Sequence, residues 1–410
     1  MKHLQQQYQI IKHDKWLVAC ITWVPIALAL CIWGIFSSGI ARDLPIGVVD
    51  LSHSSLSYQL THQLDASPTL KVDTVYSDVN QAKQALIESK IYAYMVIPSD
   101  FDKAIFKKAK PQVSTFYNTQ AILVGRLISS AVTQSLGYFN ASIETGKQLA
   151  SGDTTTQSAM GKAVPIQTQI TALFNKNTHY GQFLITAIIP ALWQIIIVAS
   201  TILILGANLR HHRRLDHWLG NNPALSLFHT LKWFSAIFAL QGLLFISWFY
   251  VWLDWPFHGS AFSVLLAQWV TVLACIIMGS LFFFLTLDAT RAMSFAGAFT
   301  APSFAFMGIT FPVSDMNILA QGWRSLLPIS HYIEVQVSQA NYALSTLESI
   351  KHLIPMLGYL VVAIACLALV NARLGQKSFV LKRFEENRSQ QECLPEKRLQ
   401  DKYSQEEGSR

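Results

Sequence analysis

Long uncharged, apolar stretches recur along this chain, and water offers them no place unless they are packed away or dissolved in lipid. A bilayer core of about 30 Å is crossed by roughly 20 helical residues. Six runs reach that length: Trp16 to Ser38, Tyr180 to Asn208, Trp233 to Leu253, Trp255 to Leu287, Ala292 to Ser314 and Leu353 to Ala372. The fourth exceeds one span, so its Trp255-Pro256-Phe257-His258-Gly259 start is assigned to a loop. The fifth ends in polar, proline-broken sequence. Over 410 residues only 13% are charged and 51% are hydrophobic, where a soluble domain carries about 25% charge. Disordered, collagen-like and single soluble enzyme chains are excluded. The expected fold class is a membrane α-helical protein with six spans.

Orientation follows from the basic flanks. Lys2, Lys12 and Lys15 precede the first run, and Arg210-His211-His212-Arg213-Arg214 joins the second and third. Arg291 lies between the fourth and fifth, and Arg373, Lys377, Lys382 and Arg383 follow the sixth. The opposite loops hold few basic residues, among them Arg324 and Lys351. By the positive-inside rule all four basic flanks face the cytoplasm, which requires an even number of crossings with both termini inside. The first run is too long for the core of a cleaved leader, so it is expected to stay as a span.

The net charge of +7 does not point to nucleic acid. Between Arg42 and Lys176 there are 12 basic and 10 acidic residues, which leaves no electrostatic grip on a phosphate backbone. Four of the five cysteines, Cys20, Cys31, Cys275 and Cys366, lie in apolar runs, and Cys393 lies in the polar tail. The polar stretch has none, so it must fold without disulfides.

That stretch, residues 42–179, reads as an α/β extracytoplasmic domain inserted between spans one and two. Strands are expected at Ile46 to Asp50, Leu70 to Tyr76, Ile91 to Ile97 and Pro111 to Tyr117. Helices are expected at Ser54 to Asp65, at Asp78 to Lys90 and after the Ser99-Asp100 cap. Gln120 to Leu149 reads as one long amphipathic helix through Val124, Ile128, Val132 and Leu136, either a projecting arm, as its length suggests, or a helix packed on its own sheet. Ser151 to Gly161 reads as a polar turn, and Val164 to Phe174 as a returning strand. The remaining divisions are 1–41 for the cytoplasmic N-terminus and first span, 180–372 for a five-span transmembrane domain and 373–410 for a cytoplasmic tail.

Signatures of catalysis are lacking. Gly146-Lys147 is followed by Gln148 and Gly161-Lys162 by Ala163, so no phosphate loop is present. There is no His-Glu-x-x-His or Gly-x-Ser-x-Gly. His211, His212 and His217 cluster without a cysteine, which fits a headgroup-facing loop better than a metal site. Asp288 and Arg291 are read as a boundary ion pair worth little. Gly297 and Ala301 have the small-xxx-small spacing that lets helices approach closely, within a subunit or between two. Glu334 stands near the last span, on a pathway or on a surface helix.

One span, an α/β insertion and five further spans resemble the permease subunit of the type-2 ATP-binding-cassette exporters. The nearest branch is the bacterial inner-membrane permeases that work with periplasmic adaptors. Ile46-Gly47-Val48-Val49-Asp50 resembles the family's opening strand. Phe306 to Pro312, with Leu326 to Tyr332, resembles its re-entrant outer segment. Arg210 to Pro223 and Lys232 occupy the place of its coupling segment, although the early acidic residue of the family pattern is missing and Asp216 stands alone.

The resemblance implies a transport subunit with no catalytic residue, metal or cofactor of its own; ATP and Mg would sit on a separate ATP-binding-cassette ATPase. Arg210, Arg213, Arg214, Asp216 and Lys232 would couple to that ATPase. Phe306, Phe311, Pro312, Pro328, Tyr332 and Glu334 would form an outer gate, and Gly297 and Ala301 an interface. The implied partners are the ATPase, a second permease copy or sister permease, and a periplasmic adaptor with an outer-membrane channel. The cargo would be amphiphilic or hydrophobic. The competing reading is a membrane receptor or scaffold whose outer domain binds a ligand, for which five spans after that domain are excessive.

Overall fold

Apolar runs become helices here, but prolines and polar residues decide where those helices break. The structure, a computed structural model, describes residues 2–374 apart from 38, 40, 108, 110, 121, 153–154, 164–172 and 176–178. Two compact units are present, one of Met1–Ser37 with His179–Arg410 and one of Ser38–Thr178. The first opens with α1 (Lys2–His13), α2 (Lys15–Ile21) and α3 (Trp23–Phe36). Asp14 separates α1 from α2, and its carboxylate accepts the Leu17 N–H as an N-cap. Between α2 and α3 the axis bends by 50°. The first apolar run is therefore a broken segment rather than one straight span. Pro25 is the reason: it has no N–H to give the Ile21 carbonyl four residues back, and its ring crowds that carbonyl.

The second unit holds a four-stranded sheet in the order β2-β1-β3-β4, with β1 Leu44–Asp50, β2 Leu70–Tyr76, β3 Ala93–Ile97 and β4 Ser114–Tyr117. β1 pairs in parallel with β2 and β3, and β3 pairs antiparallel with β4. α4 (Ser55–Asp65), α5 (Val79–Ile87) and α6 (Phe101–Phe106) connect the strands. Alternation sorts β1 between two cores. Ile46 and Val48 join Leu60 and Leu64 of α4, while Val49 joins Ala82 and Ala85 of α5. Burial on both faces explains the unbroken apolar reading of Ile46 to Val49.

α7 (Ile122–Ala150) does not project as an arm. Ile128, Ala131, Val132 and Phe139 are buried against Leu44, Ile46, Leu60 and Met95, and Phe139 stacks on Phe101 at 6.0 Å. The apolar stripe continues through Ile143 at helical spacing, and burying it on the unit's own core outweighs the length argument for projection. Residues read as a polar turn include α8 (Thr156–Ala163), started by Thr155, whose Oγ1 accepts the Ser158 N–H. Ala159 of this helix is fully buried. The returning strand expected at Val164 to Phe174 lies almost wholly outside the described residues.

The first unit resumes with α9 (Tyr180–His212), α10 (Leu215–Leu219), α11 (Pro223–Ser247) and α12 (Ala261–Thr286). α11 continues as a π-helical turn to Trp252, and it begins ten residues before Trp233 because Asn222 caps its first turn ahead of Pro223. α9 and α12 approach so closely that a Cβ at Gly279 would lie 2.9 Å from the Val198 carbonyl oxygen and the Thr201 Cβ. Then follow α13 (Ala289–Thr300), α14 (Ser303–Phe306), α15 (Ile318–Ser325), α16 (Pro328–Ala340) and α17 (Thr346–Lys351), before a last apolar helix, Ile354–Leu374.

Among the described residues four helices are long and apolar enough to cross a membrane: Gly181–His212, Pro223–Trp252, Ala261–Thr286 and Ile354–Leu374. The bent pair α2–α3 makes a fifth. Ala292 to Ser314 is not one continuous helix, which corrects the expected fifth span. α13 stops at Pro302, α14 has four residues, and Gly308 turns the chain at φ +86°. Asp288 also departs from expectation. Its carboxylate accepts the Arg291 N–H at 2.8 Å and caps α13 instead of pairing with the guanidinium.

Candidate functional site

α9 has 33 residues, a rise of about 50 Å, so it outreaches a bilayer core and its final turns carry polar contacts. Gln7 donates to Asn208 at 2.8 Å and receives from it at 3.1 Å. Arg210 donates to Asp14 at 2.8 Å. These contacts tie α1 and the cap of α2 to the basic end of α9. Arg213, at a left-handed φ of 60°, ends the helix.

The next turn is a short amphipathic helix held by one aromatic ring. Leu215, Trp218 and Leu219 of α10 are buried. Trp218 stacks on Phe284 of α12 at 6.2 Å and on His212 of α9 at 6.5 Å, and its indole N–H donates to Thr230 of α11 at 3.4 Å. A five-residue helix thus touches three long ones through a single side chain. On its exposed side Arg214 donates to both oxygens of Asp216, at 3.0 and 2.5 Å. The Arg214 hydrogen bond holds the Asp216 carboxyl below its usual range.

Arg210, Arg213, Arg214 and Asp216 therefore share one stretch of chain at this end. Lys232 is not gathered with them. It lies more than two turns into α11, with its ammonium 6.0 Å from the Phe228 ring and 5.6 Å from Trp233. Trp218 was missed as an anchor, although a Trp flanked by Leu in a basic turn is a visible signal.

The interrupted segment from α13 to α17 is the second locus. Arg324 of α15, nearly buried, donates to Glu334 of α16 at 2.5 Å. The other Glu334 oxygen faces His352 at 3.4 Å and His331 at 3.9 Å. One carboxylate thereby joins α15, α16 and the turn after α17. Pro328 is the first residue of α16, and Tyr332 and Glu334 follow on the same helix. Tyr332 is buried, and Phe306 is partly buried against the same core. Phe311 and Pro312 are exposed in the preceding loop and do not join them.

Glutamines bind this segment to the long helices, and the sequence reading overlooked them. Gln194 of α9 donates to Ser303 at 2.9 Å and accepts the Ile329 N–H at 3.0 Å, serving the open first turn of α16. Gln336 of α16 donates at 3.0 Å to the Thr186 carbonyl, which Pro190 leaves without its helical partner. Gln339 accepts the Ser260 N–H ahead of α12 at 2.6 Å. Unsatisfied backbone is costly in hydrocarbon, so irregular backbone at that depth needs such partners. Gln194, a polar residue inside an apolar run, was the available signal.

Gly297 and Ala301 lie on an exposed face of α13, and a Cβ at Gly297 would meet no atom within 4 Å. Their spacing is not used for packing within the described chain. Among the described residues no group of three His, Cys, Asp or Glu side chains is placed to hold a metal ion.

The profile of the ABC-2 family transporter proteins matches residues 15–370, from the first residue of α2 to near the end of the final apolar helix. No individual curated protein and no solved structure matches the chain.

Proposed function

Because this chain belongs to the ABC-2 transporter family and is a membrane-embedded permease, we propose that it is the transport subunit of an ATP-driven exporter in a bacterial inner membrane. Its cargo is amphiphilic or hydrophobic. A separate ATPase, carrying ATP and Mg, docks on α10, the Arg210–Asp216 turn and the N-terminal helix. Two permease copies, or this chain and a sister permease, enclose the pathway through the exposed Gly297–Ala301 face of α13. A periplasmic adaptor and an outer-membrane channel complete the route.

In this reading both termini are cytoplasmic and the chain crosses six times. α2–α3 form the first crossing, and α13 with α14 carry the chain across as an interrupted fifth. Residues 289–306, helical but for the break, span about 27 Å, close to a bilayer core. The α/β unit then lies outside the membrane on the far side.

One observation supports the mechanism above the others: α9 reaches both loci through named polar and aromatic contacts, alongside α12, which stacks Phe284 on Trp218 and bonds to Gln339 at its start. The end of α9 is bonded to α1 and stacked on Trp218, and its Gln194 holds Ser303 and Ile329, 14 residues or about 21 Å away. A push on α10 at ATP-driven closure would move α9, α11 and α12 through Trp218. Gln194 would pass that movement to the interrupted segment, where Arg324 and Glu334 hold the gate.

The test is reconstitution. The purified permease should hydrolyse no ATP, its partner ATPase alone should be slow, and the two together in liposomes should show hydrolysis that cargo stimulates. Hydrolysis by the lone permease, or an ATPase indifferent to it, would overturn the proposal.

A further inference from the structure

α1, α2 and α9 line an open cavity of about 560 Å³; it shares the Asp14–Arg210 pair with the first locus, which makes no use of Lys15 or Trp16 beside it. Its floor is apolar, from the buried Ile10 and Ala207, and its wall includes Trp16, which is 77% exposed. Among the described residues lining it, His13, Lys15, Arg210 and His211 stand against a single acid, Asp14. Asp14 is already engaged, one oxygen taking the Arg210 guanidinium at 2.8 Å and the other the Leu17 N–H at 3.2 Å. The carboxylate and the guanidinium cancel, which leaves the Lys15 ammonium as an uncompensated charge at the cavity wall.

We infer that this cavity binds the headgroup of an anionic phospholipid, its phosphate at Lys15 with His13 and His211 as further donors, and its acyl chains along Trp16. Trp16 opens the first apolar segment, so the cavity sits where headgroups meet the hydrocarbon, and Trp is favoured at that level. Basic pockets between membrane helices attract anionic headgroups at about one Lys or Arg charge's worth of preference each. A half-apolar cavity with an exposed indole suits a lipid better than an acidic protein surface, which would gain nothing from the ring. The site depends on the chain being in a membrane and not on which side this end faces, so it survives failure of the ATPase reading, while its lining helix α1 and Arg210 border the docking surface proposed above.

The experiment uses the full-length permease in nanodiscs of equal phosphatidylglycerol and phosphatidylcholine, with retained lipid counted by mass spectrometry after gentle extraction. Phosphatidylglycerol should be retained over phosphatidylcholine. Lys15→Gln should lower that preference roughly fivefold, one surface charge's worth, and Lys15→Arg should keep it. Lys351→Gln, which removes an exposed charge elsewhere, should also keep it. No preference in the parent chain, or one that survives Lys15→Gln, overturns the site. Loss of the lipid to millimolar inorganic phosphate would make it a soluble-anion site, and loss on adding the ATPase would make it part of the protein interface. Either result also overturns the inference.

Discussion

The side-chain amide of Gln241 donates to the backbone carbonyl of Ile21, at the point where the first apolar segment bends by 50°. That carbonyl lost its helical partner to Pro25, so a residue on α11 supplies the bond that α3 cannot. Gln336 does the same for Thr186 opposite Pro190. In both places a proline breaks the ladder and a distant glutamine restores it, which makes the bend a property of the packed bundle.

Gln241→Leu should therefore destabilise the protein. It leaves the Ile21 carbonyl and the Trp193 indole N–H, 3.3 Å from the Gln241 oxygen, without partners. A hydrogen bond between membrane helices is worth about 1 kcal/mol, so a fall of that order or somewhat more is expected in the unfolding free energy in detergent. An unchanged midpoint would show that the bend needs no external donor.

Trp218→Ala should separate ATPase binding from transport. The ring is buried against Phe284 and His212, and its removal should cost about 3–5 kcal/mol as a Trp-to-Ala core change. Trp218→Phe should retain most stability and stacking while losing the bond to Thr230. If both variants bind the ATPase and both keep cargo-stimulated hydrolysis, α10 is not the transmitting element.

Glu334→Gln should loosen the interrupted segment by leaving the nearly buried Arg324 without its counter-charge. A fully buried pair costs about 3–5 kcal/mol to break. The Glu334 side chain is 30% exposed, and solvent screening lowers the expectation to about 2 kcal/mol. Arg324→Leu combined with Glu334→Gln should recover part of that loss, and a double-mutant cycle reads the coupling. Additive single losses would mean that the pair is not a lock.

Val132→Asp should detach α7 from its sheet. Val132 is buried beside Ile128 and Phe139, and an unpaired carboxylate there has no compensating contact. Limited proteolysis should leave residues 122–150 intact in the parent chain and cut them in the variant. Cleavage inside α7 of the unmodified protein would revive the projecting arm.

The apolar runs, their basic flanks and the alternation of the β1 segment follow from hydrophobicity, charge and period-two burial alone. So the helices around Tyr180–Asn208, Trp255–Leu287 and Leu353–Ala372 were legible from the chain, and so were the strands about Ile46 and Leu70. The tertiary structure decided the rest. Whether α7 projects or packs depends on a sheet face far away in sequence, and whether Ala292 to Ser314 runs straight depends on Pro302, Gly308 and the partners beyond them. Arg324 and Glu334 find each other only once α15 and α16 fold back. Local pattern tells a segment what it could be, but the free carbonyls of a broken helix and the charge of a buried arginine are settled by whichever residue the fold brings within reach.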